Sequence, residues 1–362
     1  MGDRLTEYRR KRDRARTPEP VPGEPAEPAA GRGDTFVVQQ HHARRLHWDL
    51  RLERDGVLVS WAVPRGLPRD PARNHLAVHT EDHPMEYADF SGEIPAGEYG
   101  GGRMTIYDRG TYVTEKWRDD EVIVVLRGQR AAGRYVLFRT SGRDWMVHRM
   151  DGPPPGWQPM PEVAGPMRAT AAGRLPAGDA WAFELAWAGL RALAEVSGGR
   201  LRLVDAGGAD RTAAFPELRA LAEALAPTEC LLDGVVVAFD AAGRLLGDGP
   251  ARRIAAGDTA AGRRYRSGTP AQYLAVDLLW LDGRATLEVP YAQRRELLAG
   301  LDVVGPHWQT PPHFAGAGVG AAVRAASRER SLPGVVAKRL DSPYEPGAAS
   351  RSWRLVRNPP PS

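Results

Sequence analysis

The chain has 362 residues, of which 42% are hydrophobic and 26% charged, and its formal net charge is +4. At roughly 100 to 200 residues per domain this length predicts two domains or three, and without a run of about 18 apolar residues no membrane-spanning helix is expected. Cys230 is the single cysteine, which excludes an intramolecular disulfide, a zinc site built on several cysteines and an iron–sulfur cluster, so any metal chemistry must use His, Asp and Glu.

The opening MGDRLTEYRRKRDR has no apolar stretch behind it, so no secretory leader and a cytoplasmic location are expected. Residues 1–35 are rich in Arg, Pro, Glu and Gly without apolar periodicity, and they predict a flexible basic arm. From residue 36 to 152 short alternating runs such as LHWDLRL, LVSWAV and EVIVVLRG follow each other between Gly, Pro and Asp turns. This pattern predicts an all-β domain, an antiparallel barrel or a sandwich, and the barrel is the expected fold. The stretch from 153 to 178 contains PPPGWQPMPEVAGPM and is expected to be a proline-rich linker. In residues 179–362 helical and strand patterns mix: FPELRALAEALA and PYAQRRELLAGL have helical spacing, whereas LLDGVVVAFD and YLAVDLLWLDG read as buried strands. A second, α+β domain is predicted. Just three lysines, Lys11, Lys116 and Lys338, stand among 49 Lys+Arg; base-composition bias accounts for the arginine excess, which is not taken as a nucleic-acid signal.

Six of the nine histidines (His41, His42, His47, His75, His79, His83) fall within 43 residues. In LHWDLRLE the alternation places Leu46, Trp48, Leu50 and Leu52 on one strand face and His47, Asp49, Arg51 and Glu53 on the other, which is expected to be exposed. His75, His79, Glu81 and His83 share a parity further on. Two imidazoles and a carboxylate suit a divalent first-row metal, and an arginine beside them suits a phosphate. The glycine-rich SGEIPAGEYGGGR lacks the GK[ST] of a phosphate loop and is read as a tight turn.

FVVQQHHARRLHWDLRLERDGVLVSWAVPRG, LAVHTEDHPMEYADFSGEIPAGEYGGG and WMVHRMDGPPPGWQPM resemble the 3′-phosphoesterase domain of bacterial ligase D, which acts in double-strand break repair by end joining. The resemblance implies a manganese ion on His41, His47 and Asp49, with further active-site residues at Arg51, Glu81, His83 and Tyr87 and, from the arm, at Arg12, Asp13 and Glu19. A family lysine corresponds to Arg65 here and a family arginine to His75, and both positions keep a cationic or potentially cationic donor.

The second domain is similar to the adenylating, nucleotidyltransferase-like domain of ATP-dependent DNA ligases, through WAFELAWAGLRALAE, LLDGVVVAFD, YLAVDLLWLDG, PGVVAKRLDSPYEPG and SWRLVRN. The resemblance implies that Ala186 stands where the lysine nucleophile belongs and Ala188 where an aspartate does. Val235 and Pro333 replace acidic residues, Val276 replaces the aromatic that stacks on adenine, and Leu355 and Arg357 replace paired lysines. Gly189, Arg191 and Lys338 are retained. A bias against lysine would leave arginine, not Ala, Val, Pro or Leu, so lost catalysis on a kept framework is expected, with no use of ATP. The chain ends at Ser362, before the oligonucleotide-binding barrel that a ligase of this type carries, and no polymerase module is expected.

Together these readings predict a manganese-dependent DNA 3′-end-processing phosphoesterase carrying an inactive ligase-like module. Its expected partners are DNA 3′ ends, the end-binding protein Ku and a separate ligase or polymerase. Arg191, Lys338 and Arg357 are expected to contact the phosphate backbone. The alternatives are a non-enzymatic end-binding or scaffold factor and an active ATP-dependent ligase.

Overall fold

A computed structural model describes residues 3–23 and 32–359. The chain divides into two compact units, residues 1–155 and 156–362. None of the helices among the described residues is long and apolar enough to cross a membrane.

The first unit is built from a short helix α1 (Thr6–Arg10) and nine strands: β1 (Thr35–His42), β2 (Leu46–Arg54), β3 (Val57–Val63), β4 (Asn74–His79), β5 (Gly92–Ile94), β6 (Gly102–Trp117), β7 (Glu121–Arg127), β8 (Ala132–Ser141) and β9 (Asp144–Arg149). The strands pair in the order β1-β2-β3-β4-β9-β8-β7-β6-β5, and β6 pairs back onto β1. Eight antiparallel strands therefore close into a barrel, and β5 adds to the start of β6. Closure leaves every barrel strand with two neighbours and no free edge.

Alternation along β2 and β3 sends Leu50, Leu52, Trp61 and Val63 to one face, where they are buried, each contributing roughly 1.5–3 kcal/mol of hydrophobic stabilisation. The polar face is buried as well: Asp49 is 5% exposed, Arg51 2% and Glu53 2%. The expectation of an exposed polar face is therefore corrected. Its cover comes from the N-terminal segment and the short helix Met85–Asp89, which place Leu5, Tyr8 and Tyr87 against Leu58, Ile94 and Met104. The arm needs correction for the same reason. Residues 24–31 of the expected flexible arm lie outside the described residues, but residues 3–23 hold a helix whose Tyr8 is fully buried and whose hydroxyl donates to the Pro20 carbonyl at 2.8 Å.

In the second unit a five-stranded sheet runs in the order Arg168–Ala171, Ala349–Arg357, Gly334–Arg339, Trp181–Ala186, Phe314–Ala315, with the helix Val319–Glu329 packed on Phe183 and Val335. A seven-stranded sheet is centred on Cys230–Ala238 and Ala271–Leu281, as the apolar runs predicted, and packs on the helices Ala220–Leu225 and Tyr291–Gly300. The supposed linker 153–178 belongs to this unit from Gly156 onward. Trp157 presses on Gly283, the Trp280 indole donates to the Gln158 carbonyl at 3.0 Å, and Met160, Val163 and Met167 join the core around Trp280 and Trp353. The proline count suggested a spacer, but the apolar residues between the prolines decide the outcome.

Candidate active site

Three metal-capable side chains meet where β1 and β2 pair. His41 lies directly opposite His47 in the ladder, and Gln39 opposite Asp49. Cross-strand partners share a face, so a histidine on one strand and a histidine and carboxylate two residues apart on the other converge. One ligand atom from each of His41, His47 and Asp49 lies within 4.8 Å of the others. Nδ1 of His41 is 3.8 Å and Nε2 of His47 is 3.6 Å from the Asp49 carboxylate.

Their backbone partners fix the tautomers. A carbonyl can only accept, so the 2.8 Å contact of His41 Nε2 with the Gly100 carbonyl and the 3.0 Å contact of His47 Nδ1 with the Arg45 carbonyl assign the protons to those nitrogens. Nδ1 of His41 and Nε2 of His47 are left as lone pairs facing Asp49. This is how metal-binding imidazoles are held, and the spacing suits donors sharing one ion through bonds of about 2 Å. Burial keeps the His41 imidazole below its usual pKa, against the pull of Asp49, which favours the neutral ligand form.

Arg51 borders this triad and is fixed from three sides. Its Nη2 donates to Asp49 at 3.0 Å, Nε to Gln39 at 2.6 Å and Nη1 to Ser60 at 3.0 Å. Five N–H groups are available on a guanidinium, so two stay open to an incoming oxygen. The arm supplies the facing wall. Arg12 donates from Nε to Glu19 at 2.8 Å and from Nη1 to Glu81 at 3.0 Å, and its Nη2 lies 3.3 Å from His83 Nε2. Tyr87 donates to the same Glu19 oxygen at 2.9 Å, and burial holds its phenol well above its usual pKa, hence protonated. Burial alone would raise the Glu81 carboxyl, but hydrogen bonds from Lys11 and Arg12 hold it below the ordinary range.

His83 is buried, and that burial, with Arg51 and Arg12 nearby, drops its pKa well below the usual value. Its Nδ1 contacts the Glu81 carbonyl at 2.8 Å and so carries the proton. Nε2 is then a lone pair accepting from Arg12: in this state His83 can take a proton but has none to give from that atom.

The second unit has its own cleft, lined by Ala186, Val235, Val276, Lys338, Trp353 and Leu355 among others. Lys338 is 1% exposed; its ammonium lies 3.0 Å from the Glu184 carboxylate, donates to the Val276 carbonyl at 3.0 Å and sits 4.0 Å from the centre of the Trp353 ring. Tyr291 donates to the same Glu184 oxygen. On the other side Arg191 forms a fork with Asp233, which also accepts from Tyr344 at 2.7 Å. The cleft carboxylate Glu184, and Asp233 beside the cleft residue Arg191, are thus engaged by cations and phenols. Burial lowers the Lys338 pKa in spite of Glu184. A backbone-contacting role for Lys338 is corrected accordingly, because its charge is enclosed.

A family model described as the DNA Ligase D 3′-phosphoesterase domain matches residues 39–139, and one described as the ATP dependent DNA ligase domain matches residues 164–356. The chain belongs to the ligase D family of ATP-dependent DNA ligases. Among the relatives of this ligase D family member, the multifunctional non-homologous end joining DNA repair protein LigD of Mycobacterium tuberculosis (strain CDC 1551 / Oshkosh) is 48% identical over 98% of this chain and 45% of its own length. LigD of Pseudomonas aeruginosa is 32% identical over 96% of this chain and 46% of its own. The chain spans less than half the length of these curated relatives. A solved structure of mycobacterial DNA ligase D with ATP and MES is 38% identical, with a TM-score of 0.46, over 53% of this chain and 60% of that one.

In the ligase D phosphoesterase unit the structure gathers nine of the twelve residues singled out from the sequence around one cleft: Arg12, Glu19, His41, His47, Asp49, Arg51, Glu81, His83 and Tyr87. Asp13, Arg65 and His75 do not line it. Asp13 caps a turn by accepting from the Ala15 amide at 3.0 Å, and His75 is engaged at 2.7 Å with the Gly66 carbonyl. Sequence reasoning missed Gln39, Ser60, Lys11, Tyr99 and Gly100. The glycine-rich run forms turns, as expected, closed by the Glu98 amide on the Pro95 carbonyl and the Gly101 amide on the Glu98 carbonyl, and at its end Gly102 takes φ +140, where a Cβ would lie 2.2 Å from the His42 carbonyl. The run of three glycines, residues that permit such close backbone approach, was the available signal.

Proposed function

We propose that the first unit hydrolyses blocking phosphoesters at DNA 3′ ends, removing a 3′-phosphate or a 3′-ribonucleotide, with manganese or another first-row divalent ion held by His41, His47 and Asp49. The observation that carries this reading is the convergence of two tautomer-fixed imidazole lone pairs and one carboxylate beside the oriented Arg51. A bound ion would supply Lewis-acid polarisation of a phosphoryl oxygen and a more acidic bound water. The protein does the rest. Arg51 and Arg12 hold phosphoryl oxygens in a water-poor cleft where charge-assisted hydrogen bonds are strong. His83 Nε2, released from Arg12, accepts a proton within the cleft, and Glu19 and Glu81 keep Arg12 in place.

The ligase-like unit is proposed not to adenylate. Ala186 brings a methyl group to its cleft, which cannot form a phosphoramidate, and Glu184 and Asp233 are already neutralised by Lys338 and Arg191. The biological setting is proposed to be end joining of double-strand breaks, with DNA 3′ ends as substrate and with Ku and a separate ligase or polymerase as partners. Phosphate release from a 3′-phosphorylated primer-template, with manganese and then with chelator, tests the activity. Release that persists after full chelation, or its absence at every divalent ion tried, would overturn the reading.

A further inference from the structure

Tyr99 is at odds with its surroundings. It is 47% exposed, one of the few large aromatic rings open to solvent among the described residues, yet its position is fixed. Its hydroxyl accepts from Lys11 Nζ at 3.2 Å and lies 3.4 Å from the Glu81 carboxylate. The Lys11 ammonium is 4.6 Å and the Arg12 guanidinium 5.3 Å from the ring centre. The ring is thus anchored at its polar tip and braced by two cations of the arm. Its neighbour Gly100 holds the His41 tautomer through its carbonyl, so the ring stands one residue from the metal triad, and it lines the same cleft.

We propose that Tyr99 is the platform on which the terminal base of the bound DNA 3′ end stacks, positioning the 3′-phosphoester over His41, His47 and Asp49. The inference rests on the phosphoesterase reading and adds how the nucleoside is held. Phosphate contacts alone cannot orient a nucleotide about its bonds, and apart from His47, which is committed to the triad, the other cleft residues are charged, small or buried. An aromatic face serves every base, as an enzyme acting on ends of any sequence requires. A ring already fixed loses little further freedom when the base arrives.

Stacking on one aromatic side chain is worth roughly five- to hundred-fold in affinity. Three full-length proteins, wild type, Tyr99→Ala and Tyr99→Phe, are compared on 3′-phosphorylated strands ending either in a normal nucleotide or in an abasic residue. In the wild type the base-bearing strand should have a KM about ten-fold lower than the abasic one. Tyr99→Ala should raise KM for the base-bearing strand alone, while Tyr99→Phe, which keeps the ring and loses the hydroxyl, should retain most of the difference. Equal effects of Tyr99→Ala on both strands would overturn the proposal, as would no effect. A terminal 2-aminopurine probe gives a readout that needs no turnover: its fluorescence should be quenched on binding to wild type and Tyr99→Phe but not to Tyr99→Ala. If no protein releases phosphate but the quenching pattern holds, the hydrolytic reading fails and the platform stands. Quenching unchanged in Tyr99→Ala refutes the platform whatever the activity.

Discussion

His41 and His47 face each other across the β1–β2 ladder with ring centroids 4.7 Å apart, and their proton-free nitrogens both point to Asp49. Replacing His47 by alanine should abolish manganese-dependent 3′-phosphate release and weaken metal binding at least ten-fold while the melting temperature barely moves, since this side chain is partly exposed. Asp49→Ala should also abolish release, but it leaves buried Arg51 without one of its partners and should cost about 1–3 kcal/mol of stability. Asp49→Asn keeps the shape and separates the two effects. Calorimetric metal titration and chemical denaturation measure them, and full activity in the His47 and Asp49 variants would exclude the metal assignment.

Glu81 joins the arm to the barrel through Lys11 and Arg12. Glu81→Gln removes the charge from both contacts, each worth roughly 1.5–3 kcal/mol as a charged hydrogen bond. Amide exchange in residues 3–23 should accelerate by at least ten-fold, with exchange in β7 and β8 unchanged. Equal exchange in wild type and variant would show that Glu81 does not hold the arm, which then rests on its remaining contacts, such as those of Leu5, Tyr8 and Glu19.

Acidification should destabilise the first unit. The His83 pKa is depressed on folding, so the stability it contributes is present above the usual imidazole pKa of about 6.5 and is lost as pH falls through that value toward the folded one. His41 and His79 are depressed in the same direction. Between pH 7.5 and 5.5, above the carboxylate range, His83 alone should cost about 1 kcal/mol, one pH unit being about 1.4 kcal/mol. Denaturant melts in chelator measure the slope, and His83→Asn, which keeps a donor for the Glu81 carbonyl, should reduce it.

The second unit should stay unlabelled by radioactive ATP with magnesium, and Ala186→Lys should not restore labelling, because Val235 and Val276 still offer neither a carboxylate nor an aromatic face. A covalent adduct in either protein would refute the loss of chemistry. Lys338→Met should destabilise the unit by about 3–5 kcal/mol by stranding buried Glu184, and Glu184→Gln in the same chain should recover much of that loss.

A fragment ending at Pro155 should fold and keep its metal-dependent turnover, since the first unit closes there. Extending it to Met160 adds Trp157 and Met160 without the Gly283 loop and Trp280 core they pack against, and should lower solubility rather than raise activity. Centrifugation and turnover of both fragments check this.

The alternating runs made the barrel strands legible, and the spacing of His47, Asp49 and Arg51 made one face of the site legible, because period-two patterns survive translation into space. Closure by β1 and β6 was not legible, since pairing between strands some 60 residues apart leaves no local trace. The arm misled for a related reason. Two apolar residues, Leu5 and Tyr8, are too few to raise a periodic signal, but they are buried once a barrel surface receives them and ion pairs to Glu81 add to their hold. Gln39 and Ser60 were invisible as site residues because their only task is to hold Arg51.

Barrel closure also bears on how the proposed metal ligands are kept in line. β1 is paired on both sides, to β2 through His41–His47 and to β6 through His41–Met104. A one-residue slip of β1 would turn His41 to the opposite face and bring Gln40 or His42 into its place, and it would have to break two ladders at once. The arrangement of the three candidate donors is therefore inherited from the weave of the backbone and does not need an ion to impose it. An ion entering such a site meets donors already in register, and its binding energy need not be spent on assembling them.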